Sequence, residues 1–394
     1  MVWGRIRGGG IAALLVCAAG AGAQQEGEGR AQGIPTAEAF KPGEFTSDEV
    51  CGACHRDIHE VWKTRSVHAR SLNAAFMAAY GEAKAVPGGK AEALCLTCHA
   101  PTTVVTKDYG MKLAITREGI TCDFCHSLRG VRIGDPDNPF DLDLSTVKRG
   151  PLKRPAPTIH PVAKSDLHSS AALCGSCHEF KNAKGVALLT TYSEWEAGPY
   201  SREGVTCQGC HMPLFKAELV ETQKTGALDR IFINLHEVPG GHSLAQLQRA
   251  LRMNVTEVRR EPERTLVKVE LYNDGAGHMV PTGLPSRRLV LRASLQEQDG
   301  RVFRQERVFQ KVVLDGSKKP LLKDSMLFME GTTVKEDNRI GPREQRLETF
   351  DFPVPRIHAG VLKVNLVYDY APMTDPTRRA ETEIFTVEKK LARE

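Results

Sequence analysis

The sequence is poor in aromatic side chains, which make up 6% of its 394 residues. No cysteine follows Cys210, so disulfides cannot stabilise the long C-terminal part of the chain. No apolar run after the first 25 residues reaches the roughly 18 residues that a membrane-spanning helix needs. The formal charge of +5 is not gathered into a basic block, so nothing indicates nucleic-acid binding. We therefore expect neither a transmembrane span nor a nucleic-acid partner.

The first residues predict a leader that is removed on export. Arg5 and Arg7 supply a basic start, residues 11–19 are apolar, and Ala21-Gly22-Ala23 is a small-residue cleavage site. This order of features is typical of a secretory signal peptide over residues 1–23. Residues 24–48 are rich in glycine, glutamine, glutamate and proline, and predict a flexible lead-in. The mature chain is expected in the periplasm or otherwise outside the cytoplasm.

Ten of the eleven cysteines follow this leader, and they fall into five pairs of one pattern. In each pair two residues separate the cysteines and a histidine follows at once. The motifs are CGACH, CLTCH, CDFCH, CGSCH and CQGCH, with cysteines Cys51, Cys54, Cys95, Cys98, Cys122, Cys125, Cys174, Cys177, Cys207 and Cys210 and histidines His55, His99, His126, His178 and His211.

Three chemistries compete for these cysteines. Five disulfides suit an exported chain, but they do not explain why histidine always follows the second cysteine. Zinc ribbons use CxxC pairs two at a time, so five pairs leave one unmatched. Covalent haem c explains both features, because two thiols form thioethers to one porphyrin and the adjacent imidazole reaches its iron. The pattern predicts five covalent haems, with the five motif histidines as proximal ligands.

Eight further histidines could supply ligands on the other face of each iron. We predict His68, His160, His168, His236 and His278 as distal ligands. His236 and His242 flank the same glycine turn, and we favour His236 while leaving His242 open. His59 lies one helical turn after His55 on the same face, so we expect a surface or packing role. His358 is expected in solvent, and Met279 is a possible ligand that the number of imidazoles makes unnecessary.

The residue pattern of the sequence changes near residue 245. Residues 49–244 contain every motif, so we expect a mainly helical, loop-rich domain packed around its haems. Residues 245–394 contain alternating segments such as TLVKVELYND and GVLKVNLVYDY, which predict short strands. Six or seven such strands favour an immunoglobulin-like β-sandwich. The expected fold class is α+β and multidomain, with His278 in a glycine-rich loop tying the sandwich to the haems.

Several segments together resemble one family. CGACHRDIHEVWKTRSVHA, EGITCDFCHSL, HSSAALCGSCHE, TYSEWEAGPYSREGVTCQGCHMP and NDGAGHMVPTG resemble the multihaem cytochromes of the cytochrome c-554 type, over most of residues 50–350. The resemblance implies closely stacked haems, electron transfer outside the cytoplasm, and ligand roles for His68 and, more loosely, the other four distal candidates. A fifth motif and the C-terminal β-domain depart from the tetrahaem type.

These observations favour an exported pentahaem electron carrier over an enzyme, and no catalytic residue is assigned. The chain lacks a CxxCK motif, so a lysine-ligated catalytic haem is not expected. The alternative is an oxidoreductase that acts on a small nitrogen or sulfur species at a five-coordinate haem. The expected partners are redox proteins, with a membrane-associated redox complex docked through the β-domain as a further possibility.

Overall fold

The computed structural model describes residues 35–86, 90–153, 159–220, 230–370 and 380–393. The predicted signal peptide and residues 24–34 of the predicted lead-in lie outside these residues. The boundary near residue 245 stays a prediction. No helix among the described residues is long and apolar enough to cross a membrane.

Short helices joined by long loops make up the region that contains the motifs. The helices are α1 Asp48–Gly52, α2 Arg56–Arg65, α3 Ala74–Lys84, α4 Ala91–His99, α5 Thr103–Thr106, α6 Ala114–Arg117, α7 Cys122–His126, α8 Ala172–His178, α9 Thr191–Ala197, α10 Pro199–Arg202, α11 Cys207–His211 and α12 Leu244–Ala250. Single 3-10 turns lie at Ala37–Ala39, His68–Arg70 and Asp166–Ser169.

Four small two-stranded ladders connect these helices. Their strands are β1 Leu128–Val131 with β2 Phe140–Leu142, β3 Lys148–Gly150 with β4 Val162–Lys164, β5 Glu179–Lys181 with β6 Ala187–Thr190, and β7 Leu214–Glu218 with β8 Arg230–Asn234. The β3–β4 ladder is parallel and the other three are antiparallel. Ladders this short have little stability of their own. Their role is to fix the backbone on which ligand candidates are placed.

Two antiparallel sheets form the C-terminal region. Its strands are β9 Leu251–Arg260, β10 Thr265–Asn273, β11 Arg287–Glu297, β12 Val302–Phe309, β13 Lys311–Leu314, β14 Thr333–Asp337, β15 Gln345–Phe352, β16 Gly360–Tyr370 and β17 Ala380–Leu391, with helix α13 Asp324–Glu330 between β13 and β14. The three-stranded sheet has the order β15-β10-β9, the four-stranded sheet has the order β12-β11-β16-β17, and β13 pairs with β14.

The core of this region lies between the two sheets. Alternate residues of β10 are buried, as the period of a strand with one covered face requires. Val267 and Leu271 of β10 are fully buried together with Leu291 of β11, Phe350 of β15 and Leu366 of β16. The predicted α+β fold, with a haem-type region followed by a β-sandwich, is confirmed.

Candidate haem-binding site

Each CxxCH motif lies on or beside a short helix. Motifs two to five end α4, α7, α8 and α11, and each of these helices stops at the motif histidine. In the first motif Cys51 belongs to α1, while His55 precedes α2. One helical turn places the two sulfurs and the imidazole of a motif on the same side of the backbone, which is the arrangement that thioether attachment needs.

A single cavity receives all five motifs. Its volume is about 1790 Å³, and all ten motif cysteines and all five motif histidines line it. Pockets for drug-sized ligands usually measure about 300–1,000 Å³, so this cavity is large enough for several big groups. The low aromatic content agrees with an interior that the side chains themselves do not fill.

No motif cysteine forms a disulfide, and three pairs of thiols from different motifs lie next to each other. Cys51 contacts Cys122, Cys98 contacts Cys177, and Cys174 contacts Cys207. These contacts place motif one beside motif three, motif two beside motif four, and motif four beside motif five. The motifs are therefore neighbours in an order that differs from their order along the chain.

Backbone carbonyls hold most of the motif imidazoles through Nδ1. His55 Nδ1 lies 2.6 Å from the Leu219 oxygen, His99 Nδ1 lies 2.8 Å from the Ser71 oxygen, and His211 Nδ1 lies 3.0 Å from the Pro239 oxygen. His126 Nδ1 contacts the Arg149 oxygen in the same way. A carbonyl at Nδ1 fixes the tautomer in which Nε2 is free for a metal, as the outer partners of metal-bound histidines commonly do.

Four motif histidines face a second histidine across the cavity. The ring centroids are 6.4 Å apart for His55 and His160, 6.1 Å for His178 and His68, 6.4 Å for His126 and His236, and 6.3 Å for His211 and His278. Three of the opposing rings also contact a backbone carbonyl through Nδ1, namely His160 with Pro161, His236 with Asn234, and His278 with Met279.

These separations fit an iron between the rings. Two metal–nitrogen bonds of about 2 Å, with each nitrogen at its ring edge, place the two ring centres roughly 6 Å apart. Imidazole rings that stack directly on each other can lie closer than this. The common spacing of the four pairs therefore favours a metal between the rings. The carbonyls at Nδ1 and the cavity lined by the motif cysteines agree with haem c at these positions. His55, His126, His178 and His211 would bind on one face and their partners on the other.

Burial also keeps these imidazoles in the form that binds metal. Desolvation is the largest cause that lowers the pKa of His68 to about 4, of His178 to about 3, of His211 to about 4 and of His236 to about 4. A metal binds the neutral imidazole, so no proton has to be displaced near neutral pH.

His168 occupies a different place from the other four predicted distal residues. Its ring stacks on His126 with centroids 5.5 Å apart, closer than any of the four facing pairs. Its Nε2 lies 3.0 Å from the Cys125 oxygen, so this nitrogen is engaged with the backbone. Because His126 also faces His236, the structure places two predicted distal residues beside one motif histidine.

His99 faces no other histidine among the described residues, which include every histidine of the chain. Its ring partner is Phe76 of α3, which stacks on the imidazole with centroids 3.8 Å apart and an interplanar angle of 14°. Phe76 covers the flat face of the ring, while the Ser71 carbonyl binds Nδ1. Nε2 is thus left for iron. No histidine among the described residues faces it.

The remaining histidines have other surroundings. His242 packs edge-on against Tyr370, with ring centroids 5.2 Å apart. His59 lies under Gly52, 3.9 Å from an Asp48 carboxylate oxygen. His358 is half-exposed, and its Nδ1 lies 2.6 Å from a Glu297 carboxylate oxygen, so it is hydrogen-bonded rather than simply solvated. The Met279 sulfur lies beside Gly341.

Comparison with known proteins agrees with this geometry. Residues 50–127 match the family of cytochrome c554 and c-prime. The fold is similar to that of a penta-heme cytochrome c552 from Thermochromatium tepidum, with a TM-score of 0.71 and 22% identity over 89% of this chain and 100% of that chain. The matched family model and the shared fold support a multihaem c-type cytochrome.

Other similarities of the chain are local. A PapD-like domain of human CEP192 aligns with 37% of this chain and 87% of its own at 9% identity, but the TM-score of 0.17 carries no argument. No curated protein matches the sequence. The family match and the fold support covalently bound haem c, and the cavity lined by all ten motif cysteines is large enough to hold it.

Sequence reasoning missed the residues that hold the loop containing His278. Glu194 of α9 accepts hydrogen bonds through Oε2 from the Met279 amide at 3.2 Å and from the Thr282 hydroxyl at 2.7 Å. Its Oε1 lies 2.7 Å from Arg339 of the sandwich, and both side chains are almost fully buried. Nothing in the sequence singles out Glu194 and Arg339, because glutamate and arginine usually lie at the surface and are rarely buried unless paired.

Proposed function

We propose that the chain is an exported pentahaem electron-transfer protein, with one haem c at each CxxCH motif. The observation that supports this most strongly is the single cavity lined by all ten cysteines and all five motif histidines. Bound haem supplies reversible one-electron chemistry at iron. The protein contributes attachment, axial ligands and a water-poor surrounding.

The facing histidines define what the chain does for four of these haems. His160, His236, His68 and His278 would complete six-coordination opposite His55, His126, His178 and His211. Two neutral imidazoles leave no position for substrate, which suits a carrier that changes only its oxidation state. Methionine in place of one histidine would raise the potential, so we expect low potentials for these four sites.

The thiol contacts between motifs support transfer within the molecule. Motif one lies beside motif three, and motif four lies beside both motif two and motif five. The charge of Cys177 also acts on the pKa of Cys125, which brings motifs three and four close. We infer a connected path through motifs one, three, four and five, with motif two beside motif four.

Stoichiometry tests this proposal directly. The pyridine haemochrome assay on purified protein should give five haems per chain, and a reductive titration should take up five electrons. The Cys95→Ala/Cys98→Ala variant is the matched control and should give four of each. A wild-type value clearly below five haems would overturn the proposal.

A second function is favoured at motif two, because His99 faces no histidine. An open iron position there would let a small nitrogen or sulfur species bind and be reduced or oxidised. Carbon monoxide should then bind one equivalent of the fully reduced wild-type protein, and His160→Ala should raise this to two. Wild-type protein that binds no carbon monoxide would leave only the carrier. One equivalent would justify turnover assays with nitrite, hydroxylamine and sulfite.

We also propose that residues 1–23 direct export and that the partners are redox proteins. Arg5, Arg7 and the Ala21-Gly22-Ala23 site support the first point. Cell fractionation and N-terminal sequencing should find a periplasmic chain that starts near residue 24. A chain that keeps its leader in the cytoplasm would contradict the proposal.

Docking to a membrane-associated redox complex through the sandwich predicts that such a complex co-purifies with the full chain.

A further inference from the structure

A polar cluster from the C-terminal region lines the wall of the cavity. It consists of Arg287 of β11, Asp324 of α13, and Tyr368 and Tyr370 of β16. Asp324 is 7% exposed and Tyr368 is 2% exposed. The Tyr370 hydroxyl donates a hydrogen bond to Asp324 at 3.3 Å, and the Arg287 guanidinium lies 5.8 Å above the Tyr370 ring. A carboxyl group is therefore buried at the cavity surface rather than in the sandwich core.

One hydroxyl of this cluster has no partner. The Tyr368 hydroxyl is buried and makes no hydrogen bond to any described residue. Leaving a buried polar group unpaired costs about 1–3 kcal/mol, so native proteins seldom do so. Tyr368 lines the cavity, where a polar group of a bound cofactor could satisfy it. The cluster thus places an arginine, a carboxyl group and two tyrosines at the cavity surface, a composition suited to contact with a charged group.

The cluster lies close to the imidazole pair His68–His178. A side chain added at Gly241 would come within 2.6 Å of the Tyr368 hydroxyl, and one at the adjacent Gly240 would come within 3.3 Å of Val67. Val67 directly precedes His68. The Arg287 charge also lowers the pKa of His178. The close packing at Gly240 and Gly241 and the effect of the Arg287 charge on His178 therefore both place the cluster near the His68–His178 pair.

We propose that Asp324 takes up a proton when the haem between His68 and His178 is reduced. This inference rests on the proposed function and deepens it by adding proton coupling at one of the five sites. An external redox protein supplies one electron, which turns ferric iron into ferrous iron. Solvent supplies one proton, which turns the Asp324 carboxylate into a carboxylic acid, so charge is balanced and no other bond changes.

Electrostatics gives the direction of the coupling. Reduction removes one positive charge from the cavity, and a carboxylate nearby in a poorly solvated site becomes less stable relative to its acid form. Burial already raises the pKa of Asp324, while the hydroxyls of Ser286 and Tyr370 and the charge of Arg287 oppose this. Its titration is thus moved above the ordinary carboxyl range near pH 4.

Other groups near Asp324 are accounted for. Lys323, just before its helix, pairs with Glu82 of α3 at 3.3 Å, and Ser325 of the helix donates to the same carboxylate at 3.0 Å. His242 packs against Tyr370 from the segment before α12, and burial lowers its pKa so that it is neutral near pH 7. None of these groups neutralises Asp324 directly. Within the described part of the chain, Arg287 is the cation whose charge acts on it.

Potentiometric titration of the haem-loaded protein at a series of pH values between about 4.5 and 8 tests the proposal. One of the five midpoint potentials should fall as pH rises, with a limiting slope of about 59 mV per tenfold change in proton activity. Asp324→Asn should remove this slope. Tyr370→Phe should move the sloping region to higher pH, because the carboxylate loses a donor. Asp299→Asn removes an exposed carboxylate of a turn and should change neither.

Two results would overturn the proposal. One is a wild-type protein with five pH-independent potentials, and the other is an Asp324→Asn variant that keeps the slope with all haems in place. If Asp324→Asn does not fold, the wild-type infrared difference spectrum decides. A deuterium-sensitive carboxylic-acid band must grow on reduction and be perturbed in Tyr370→Phe. Fewer than five haems would contradict the proposed function instead, so the two failures are distinguishable.

Discussion

Replacing Glu194 with glutamine should release the loop that places His278 opposite His211. Glu194 is the single carboxylate that binds both the Met279 amide and the Thr282 hydroxyl while pairing with Arg339. Glutamine keeps the size of the side chain but removes its charge, and it converts one acceptor oxygen into a donor. The variant therefore disturbs polar contacts without opening a cavity.

The magnitude follows from burial and from the partners that remain. Breaking a buried ion pair typically costs about 3–5 kcal/mol. Arg339 keeps Asp337, whose two carboxylate oxygens each lie 2.7 Å from a guanidinium nitrogen, so its charge is not left unpaired. We therefore expect the lower end, a loss of about 3 kcal/mol in the free energy of unfolding.

Two measurements check this prediction. Denaturation followed by far-ultraviolet circular dichroism gives the stability, and electron paramagnetic resonance reports how many haems are low-spin. Glu194→Gln should convert one haem to high-spin, and added imidazole should restore it. Glu203→Gln is the matched control, because its pair with Arg343 at 2.9 Å is half-exposed and is worth less than about 1 kcal/mol. A Glu194→Gln protein with no more high-spin haem than the wild type and with unchanged stability would refute the reasoning.

Three further outcomes are expected. His236→Ala should let the reduced protein bind one additional equivalent of carbon monoxide, whereas His168→Ala should not, and the reverse result would exchange the roles of these two residues. His68→Ala should open the haem attached at His178, with imidazole rescue of its low-spin spectrum as the control for misfolding. Because burial lowers the pKa of His242, its contribution to stability is present above the unfolded pKa of about 6.5 and is lost as pH falls below it; denaturation midpoints that stay constant from about pH 7 to about pH 5 would contradict this.

The sequence was most informative where chemistry requires a fixed local spacing. A CxxCH motif must place two sulfurs and one imidazole within a single turn, so Cys122 and its neighbours could be assigned without a structure. The β-sandwich was predictable for a similar reason, because strands such as β10 alternate buried and exposed residues with a period of two. Both signals are contained within about ten consecutive residues.

Which histidines face each other could not be obtained in this way. His68 follows the first motif but faces the histidine of the fourth, and nothing in the residues around it specifies that partner. The lack of a partner for His99 is equally invisible, since it depends on where α3 places Phe76. Asp324 carried no motif at all, because its significance comes from burial beside a cavity that only the folded chain creates.

The four facing imidazole pairs have a mechanical consequence for the loaded protein. Each iron–nitrogen bond on the distal side would join points of the chain that are roughly 70 to 110 residues apart, so it would act as a cross-link that closes a long loop. A permanent cross-link over about 100 residues removes about 4–5 kcal/mol of unfolded-state entropy in the chain-entropy account. Unlike disulfides, these cross-links can open and close again at the metal without any redox change in the chain.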